Sequence, residues 1–314
     1  MSFSCSKTTK ITAQEVPVVL PEITEQKPVL TGKLLYHSYS CYTCNDSKLY
    51  LYDFAANTNS LLSDGWAIDN PMNAHFSPDV AYIVFMGVQK GTSNWDIFYW
   101  KIGAASEPIN LTSALGNTRD EDPNFNNKGD RIIFKHSGHL VEMDLGGNIT
   151  RTISSGNSEE SMPCYNYDDS NILYAQGDGA FSDIFLVDTS GSNIKKMEAL
   201  PAIQEYFPVA KDTLSFFYTA WQSLNNHNDQ LYLGFYNGIK LPIYLPFNTS
   251  DANYSDAGPC GLKYLFLSST KADSKGGYDL YIANIITGKI WNMLLYNTNI
   301  NSVKEELGAC YFNR

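Results

Sequence analysis

Positive charge is scarce in this chain. Lys and Arg number 22 against 33 Asp and Glu in 314 residues, a formal net charge of −11. A nucleic-acid backbone is therefore a poor electrostatic partner. Long apolar runs are missing too, and none approaches the ~18 residues a membrane-spanning helix needs. Linear catalytic signatures are lacking, with no H-E-x-x-H, no G-x-S-x-G and no glycine-rich phosphate loop. Cysteine is sparse at 6 residues. Cys41-x-x-Cys44 has neither a second C-x-x-C to complete a zinc site nor a βαβ pattern around it. It reads as a local disulfide or as two ordinary thiols. Aromatic residues, by contrast, are plentiful: 21 Tyr and 16 Phe favour strands.

The first 29 residues show no sustained periodicity and are rich in Thr, Pro, Val and Glu. They read as a tether, with one domain following over residues 30–314. Small residues before Cys5 and Ser-Lys after it resemble the end of a bacterial lipoprotein signal, which makes Cys5 a candidate lipidation site. A disordered tail with an incidental cysteine is the plainer alternative.

Internal repeats carry the main inference. Phe76-Ser-Pro-Asp79 leads to Tyr82-Ile-Val-Phe85, Phe125-Asn-Asn-Lys-Gly-Asp130 to Ile132-Ile-Phe134, and Tyr165-Asn-Tyr-Asp-Asp169 to Ile172-Leu-Tyr174. Each is a strand, a tight turn and a second strand. A third strand follows as Asp96-Ile-Phe98, Asp183-Ile-Phe185 or Asp279-Leu-Tyr281, and a short fourth closes the unit. Four strands at a period of about 40–50 residues fit a β-propeller blade. First strands begin near Asn73, Pro123, Pro163, Pro208, Pro259 and Ala309, and the unit from Gly32 lacks one. The sequence thus predicts an all-β, six-bladed propeller in which a C-terminal strand completes the N-terminal blade.

The unit P-x-[FY]-[SN]-x-[DG], apolar run, D-[IL]-[FY] resembles the repeat of TolB-type (WD-repeat-like) β-propellers. His75-Phe-Ser-Pro-Asp79 and Ser182-Asp-Ile-Phe-Leu-Val-Asp188 are its best copies. The resemblance runs from about residue 30 onward. It implies a propeller and an exported protein of the bacterial cell envelope, in the periplasm or at the outer membrane or cell surface. The α/β domain that TolB carries has no counterpart in these residues.

Superposing the six starts aligns Asp120, Glu160, Glu205, Asp256 and Glu306 about three positions ahead of the first strand. Carboxylates at one channel mouth would hold a divalent cation such as Ca²⁺, receive a cationic partner loop, or simply bond their own turns. The same alignment groups His75, Asn124, Cys164, Cys260 and Cys310, read as small packing residues or, less readily, as metal ligands. His136-Ser-Gly-His139 falls in a turn, with His37 and His227 in similar places. With Arg119 near the channel mouth, His136 and His139 are the candidate catalytic pair for proton abstraction from an acidic sugar. Tyr39, Tyr42, Trp66, Trp95, Trp221 and Tyr278 fall in or near loops, where rings stack on sugars or anchor a protein. The expected role is a monomeric module that binds a protein or carbohydrate ligand on one propeller face. The alternatives are a polysaccharide lyase or glycoside hydrolase, and a cation-binding sensor or scaffold.

Overall fold

The computed structural model describes residues 25–312, except 155–157, 178–180, 198–202 and 239. Among the described residues, twenty-four strands form six antiparallel sheets of four. Blade 1 contains β1 (Lys33–Tyr39), β2 (Lys48–Asp53) and β3 (Thr58–Leu61), and its innermost strand is β24 (Glu305–Phe312). The register pairs Leu35 with Cys310 and Ser38 with Glu306, so the chain's last strand closes the ring. Blade 2 is β4 (Ile68–Phe76) to β7 (Ile109–Asn110). Blade 3 is β8 (Asp120–Phe125) to β11 (Ile149–Thr152), and blade 4 is β12 (Glu159–Tyr165) to β15 (Lys195–Lys196). Blade 5 is β16 (Glu205–Ala210) to β19 (Ile243–Tyr244), and blade 6 is β20 (Tyr254–Cys260) to β23 (Ile290–Asn292). The six-bladed propeller expected from the repeats is the observed fold.

The strand sequences explain the packing. A middle strand of a blade is covered on both faces, so it reads as an unbroken apolar run rather than an alternation. In β5 (Tyr82–Gln89), Ile83 and Phe85 pack toward blade 1, while Val84 and Met86 pack toward blade 3. Six apolar clusters result, one between each pair of neighbouring blades. The hairpins after the innermost strands of blades 2, 3 and 4 share one device. Ser77 Oγ accepts the Tyr82 N–H at 3.0 Å, Asn126 Oδ1 that of Arg131 at 3.0 Å, and Asn166 Oδ1 that of Asn171 at 2.9 Å. A short polar side chain at that place caps the turn.

One feature of the innermost strands escaped the repeat alignment. Each carries a β-bulge whose central residue has positive φ: Asn73, Asp122, Met162, Phe207, Asp256 and Gly308, from +48° to +68°. Aligned on the bulge, Ala257 rather than Pro259 matches Pro123, Pro163 and Pro208. Blade 6 therefore starts two residues earlier than the repeat places it. Asp256 occupies the bulge itself, and Gly258, not Cys260, is the counterpart of Asn124, Cys164 and Cys310. A slip of two leaves every side chain on its original face, so apolar patterning could not reveal it.

Residues 25–31 lie along blade 6 and the adjoining edge of blade 1. Glu25 accepts from Asn284 and Thr287 at 2.6 Å each, and Tyr296 Oη donates to Pro28 O at 2.7 Å. Cys5 lies outside the described residues. No described helix is long and apolar enough to cross a membrane.

Candidate functional site: a funnel over the propeller channel

The innermost strands surround a narrow channel lined by Asn73, His75, Asp122, Asn124, Cys164, Val209 and Asp256 among others, with a free volume of about 70 Å³. At the face where these strands begin, here the entry face, the channel opens into a funnel of about 380 Å³. The turns joining second to third strands rise around it. A further groove of about 490 Å³ shares Glu159, Ser161, Met162 and Tyr206 with the funnel and runs outward to Phe181 and Trp221.

Opposite walls of the funnel differ in chemistry. On the blade 3 side, Arg119 pairs with Glu121 at 2.6 Å, and Lys135 lies 2.7 Å from Glu121 and 2.6 Å from Glu159. Arg119 also donates to Tyr42 Oη at 3.3 Å and sits 6.0 Å from the centre of the Trp95 ring. Hydrogen bonds from Arg119 and Lys135 hold the Glu121 carboxyl below its usual range although burial, the largest influence, works the other way. On the blade 5 and 6 side, Tyr206 and Tyr278 both donate to Asp229, Tyr278 at 3.2 Å. Burial still pushes the Asp229 carboxyl up.

The bulges form the floor. Asp122 accepts from Asn73 Nδ2 at 3.0 Å and from the Met162 N–H at 3.3 Å, while Asp256 accepts the Gly308 N–H at 3.0 Å. Each bulge acid thus ties its blade to the next. Blades 3 and 6 stand opposite each other in a six-membered ring, so Asp122 and Asp256 flank the channel from two sides. Burial pushes both carboxyls up to about 6.

The aligned acids do not share this mouth. Asp120, Glu160, Glu205 and Glu306 are buried and outside its lining, and of the five only Asp256 lines the funnel. Asp120 Oδ1 lies 2.7 Å from His136 Nδ1, Glu160 accepts from Ser154 Oγ, and Glu306 accepts from Ser38 Oγ at 2.9 Å and the Ser302 N–H at 3.1 Å. Only the Ser302 N–H belongs to the backbone of the turn ahead of its own strand; the other partners are side chains of a neighbouring strand or loop. Among the described residues no three His, Cys, Asp or Glu side chains converge to hold a metal ion. Of the Cys and His set, His75, Asn124 and Cys164 line the channel, while Cys260 packs between blades 1 and 6 and Cys310 against the core of blades 1 and 2. Cys164 Sγ accepts the Ala210 N–H of the next blade at 3.5 Å, and burial raises its thiol to about 11.

Other expected residues scatter. Trp66 is buried between blades 1 and 2 against Phe85 and Trp100, with ring centres 5.3 and 5.0 Å away, so it is a core residue and not a ligand platform. His37 lies inside β1, buried, rather than in a turn. His136 and His139 are register partners across one hairpin, and His139 stands 3.6 Å from Glu160. Arg119 is on the funnel rim, engaged by Glu121. Trp95 and Trp221 remain partly accessible, and Trp221 stacks on His227 with ring centres 3.8 Å apart. Tyr206, Asp229, Asp122 and Lys135 went unnoticed in the sequence. The one signal for Asp122 was its place beside Pro123 in the repeat. Cys41 and Cys44 form a disulfide in the loop after β1, beside the funnel residue Tyr42.

No family model and no curated protein matches this sequence. Similar solved structures exist at low identity. TolB from Acinetobacter baumannii superposes with a TM-score of 0.67 at 13% identity over 89% of this chain. Hydrazine synthase of Kuenenia stuttgartiensis gives 0.67 at 12% over 90%, and oligogalacturonate lyase from Vibrio parahaemolyticus 0.55 at 12% over 82%. This chain spans 66%, 47% and 74% of those chains respectively, so the first two are longer proteins of which it matches a part. A hydrazine synthase, an oligogalacturonate lyase and TolB on one scaffold leave function to the site rather than the fold. The chain is a six-bladed β-propeller of the TolB type in its fold.

Proposed function

We propose that the protein is a binding module whose ligand, a protein segment or a carbohydrate, enters the funnel on the entry face and extends along the groove toward Trp221. The observation that carries this reading is Asp229, held by Tyr206 and Tyr278 in an aromatic-lined wall above the acidic floor of Asp122 and Asp256. Five carboxylates (Glu121, Asp122, Glu159, Asp229, Asp256) face two bases (Arg119, Lys135) in the funnel, which suits a ligand with a positive group. Tyrosine and tryptophan supply rigid contact area with a polar edge. The Cys41–Cys44 disulfide supports an exported protein, since such bonds persist in oxidising compartments. Lipidation at Cys5 and a location in the bacterial periplasm or at the cell surface complete the reading.

A panel of short basic peptides and a panel of glycans, read by thermal shift and calorimetry, tests this. Binding that weakens at least tenfold in both Asp229→Asn and Trp221→Ala supports it. Ligands whose affinity ignores both variants would place the site elsewhere.

One observation favours an enzyme as the second reading. The fully buried Asp120 fixes the half-exposed His136, as a carboxylate orients a catalytic base. Turnover of a uronide substrate, followed by absorbance of the unsaturated product and lost in His136→Ala, would establish it.

A further inference from the structure

Strands alternate in direction within each blade, so the turns joining first to second and third to fourth strands all project from the exit face, opposite the funnel. In blades 4, 5 and 6 the tips of these turns are apolar. Tyr167, Ile194, Leu214, Leu241, Leu262 and Ile286 are each between 55% and 74% exposed. The corresponding turns of blades 2 and 3 place Val80, Ile102 and Leu145 against the core instead. Blades 2 and 3 expose Ile109 and Ile149 where their fourth strands begin, but only blades 4, 5 and 6 carry an exposed apolar tip on both exit-face turns.

Basic residues accompany it. Lys195, Lys240 and Lys263 adjoin Ile194, Leu241 and Leu262 in sequence, Lys289 follows Ile286 by three, and all four are exposed. With Lys196 and Lys211 beside them, bases at these turns match the acids Asp168, Asp169, Asp188, Asp212 and Glu25, in a chain whose net charge is −11. Acids of these turns are hydrogen-bonded by their own backbone. Asp188 accepts the N–H groups of Ser190 and Ser192 at 3.0 and 2.8 Å, and Asp212 accepts that of Leu214 at 2.9 Å. Lys240 Nζ lies over the Phe235 ring at 3.9 Å, Lys195 Nζ donates to Asn237 O at 3.4 Å, and Lys263 and Lys289 stand near the Glu25 carboxylate.

We infer that the exit face of blades 4–6 is a docking surface for an anionic lipid bilayer. Apolar turn tips enter the headgroup boundary while neighbouring lysines engage its negative charge. A ring of turn tips offers a broad face suited to a flat surface. The chain also leads there, because Glu25 is bonded to Asn284 and Thr287 in the third-to-fourth turn of blade 6. Twenty-four residues precede Glu25, and Cys5 stands twenty before it, a reach of up to about 65 Å when extended. The funnel would then face away from the membrane, open to its ligand. The inference does not require a lipid on Cys5.

Co-sedimentation of the unlipidated full chain with phosphatidylcholine vesicles, with and without phosphatidylglycerol, is the test. The chain should partition onto the anionic vesicles and be released by salt. Lys240→Gln and Lys263→Gln should each weaken partitioning about fivefold, and the pair Leu214→Ser with Leu262→Ser should abolish it. All four positions are exposed, so melting curves should match the wild type; the lysine variants still decide the matter if the leucine pair misfolds. Equal partitioning onto both vesicle types, or no partitioning, overturns the inference. So does a vesicle-free dimer that the leucine pair dissociates, which would assign the face to a second copy. None of these outcomes bears on ligand binding at the funnel.

Discussion

Asp256 accepts the Gly308 N–H at 3.0 Å, and Asp122, three blades away around the channel, accepts the Met162 N–H at 3.3 Å. The two bonds are the same device repeated on opposite sides of the ring. Each links one bulge to the next blade's bulge and leaves a half-buried carboxyl at the floor of the funnel.

That burial sets a pH dependence. Both carboxyls are pushed up to about 6, with desolvation the largest cause. The folded state therefore holds these protons more tightly than the unfolded chain. Their contribution to stability is fully present below the unfolded value of 3.8 and is lost as pH rises through about 6. A shift of that size corresponds to about 3 kcal/mol per group at most. Asp256→Asn keeps an oxygen for the Gly308 N–H and removes the titration. It should melt higher than the wild type near neutral pH, with the advantage shrinking toward about pH 5. Parallel wild-type and variant curves over this range would contradict the assignment.

Lys135 is buried between Glu121 and Glu159. Lys135→Met should cost about 3 kcal/mol in urea denaturation, because Glu121 keeps only Arg119 as a partner. Adding Glu121→Leu should restore most of the loss, since the pair's removal leaves no buried charge without its partner. A double variant as unstable as the single one would show that packing, not charge, is the cause.

The thiols divide by burial. Cys164, Cys260 and Cys310 are raised to about 11, 12 and 11 by desolvation, and Cys41 and Cys44 are bonded together. In the native protein all three should resist a thiol reagent at neutral pH. After unfolding without reductant, titration should find two thiols fewer than after reduction. Equal titres would mean that Cys41 and Cys44 are free.

Much of this architecture was readable because it repeats. The hairpin residues Ser77, Asn126 and Asn166 recur for a local reason, capping a turn, and local reasons leave a sequence pattern. The apolar runs of the middle strands recur because every blade has two neighbours. The bulge does not announce itself, since Asn73, Asp122, Met162, Phe207, Asp256 and Gly308 share backbone conformation rather than side-chain chemistry. The site was less legible still. Alignment brought Asp120, Glu160, Glu205 and Glu306 into one register, but register fixes height along the strand and not exposure. Trp66 resembled Trp221 as a loop tryptophan until the packing of blades 1 and 2 enclosed it.

The sequence by itself determined the strand order, the count of six blades and the closing of the first by the last strand. These follow from hydrogen-bonded hairpins and apolar periodicity, which act over a few residues. The tertiary structure alone decided which acids meet at the channel. Asp229 from a third strand, Asp122 and Asp256 from two opposed bulges, and Tyr206 and Tyr278 from adjoining blades converge only when the ring closes. Their chemistry depends on desolvation and on partners distant in sequence, and neither has a signature in any one repeat.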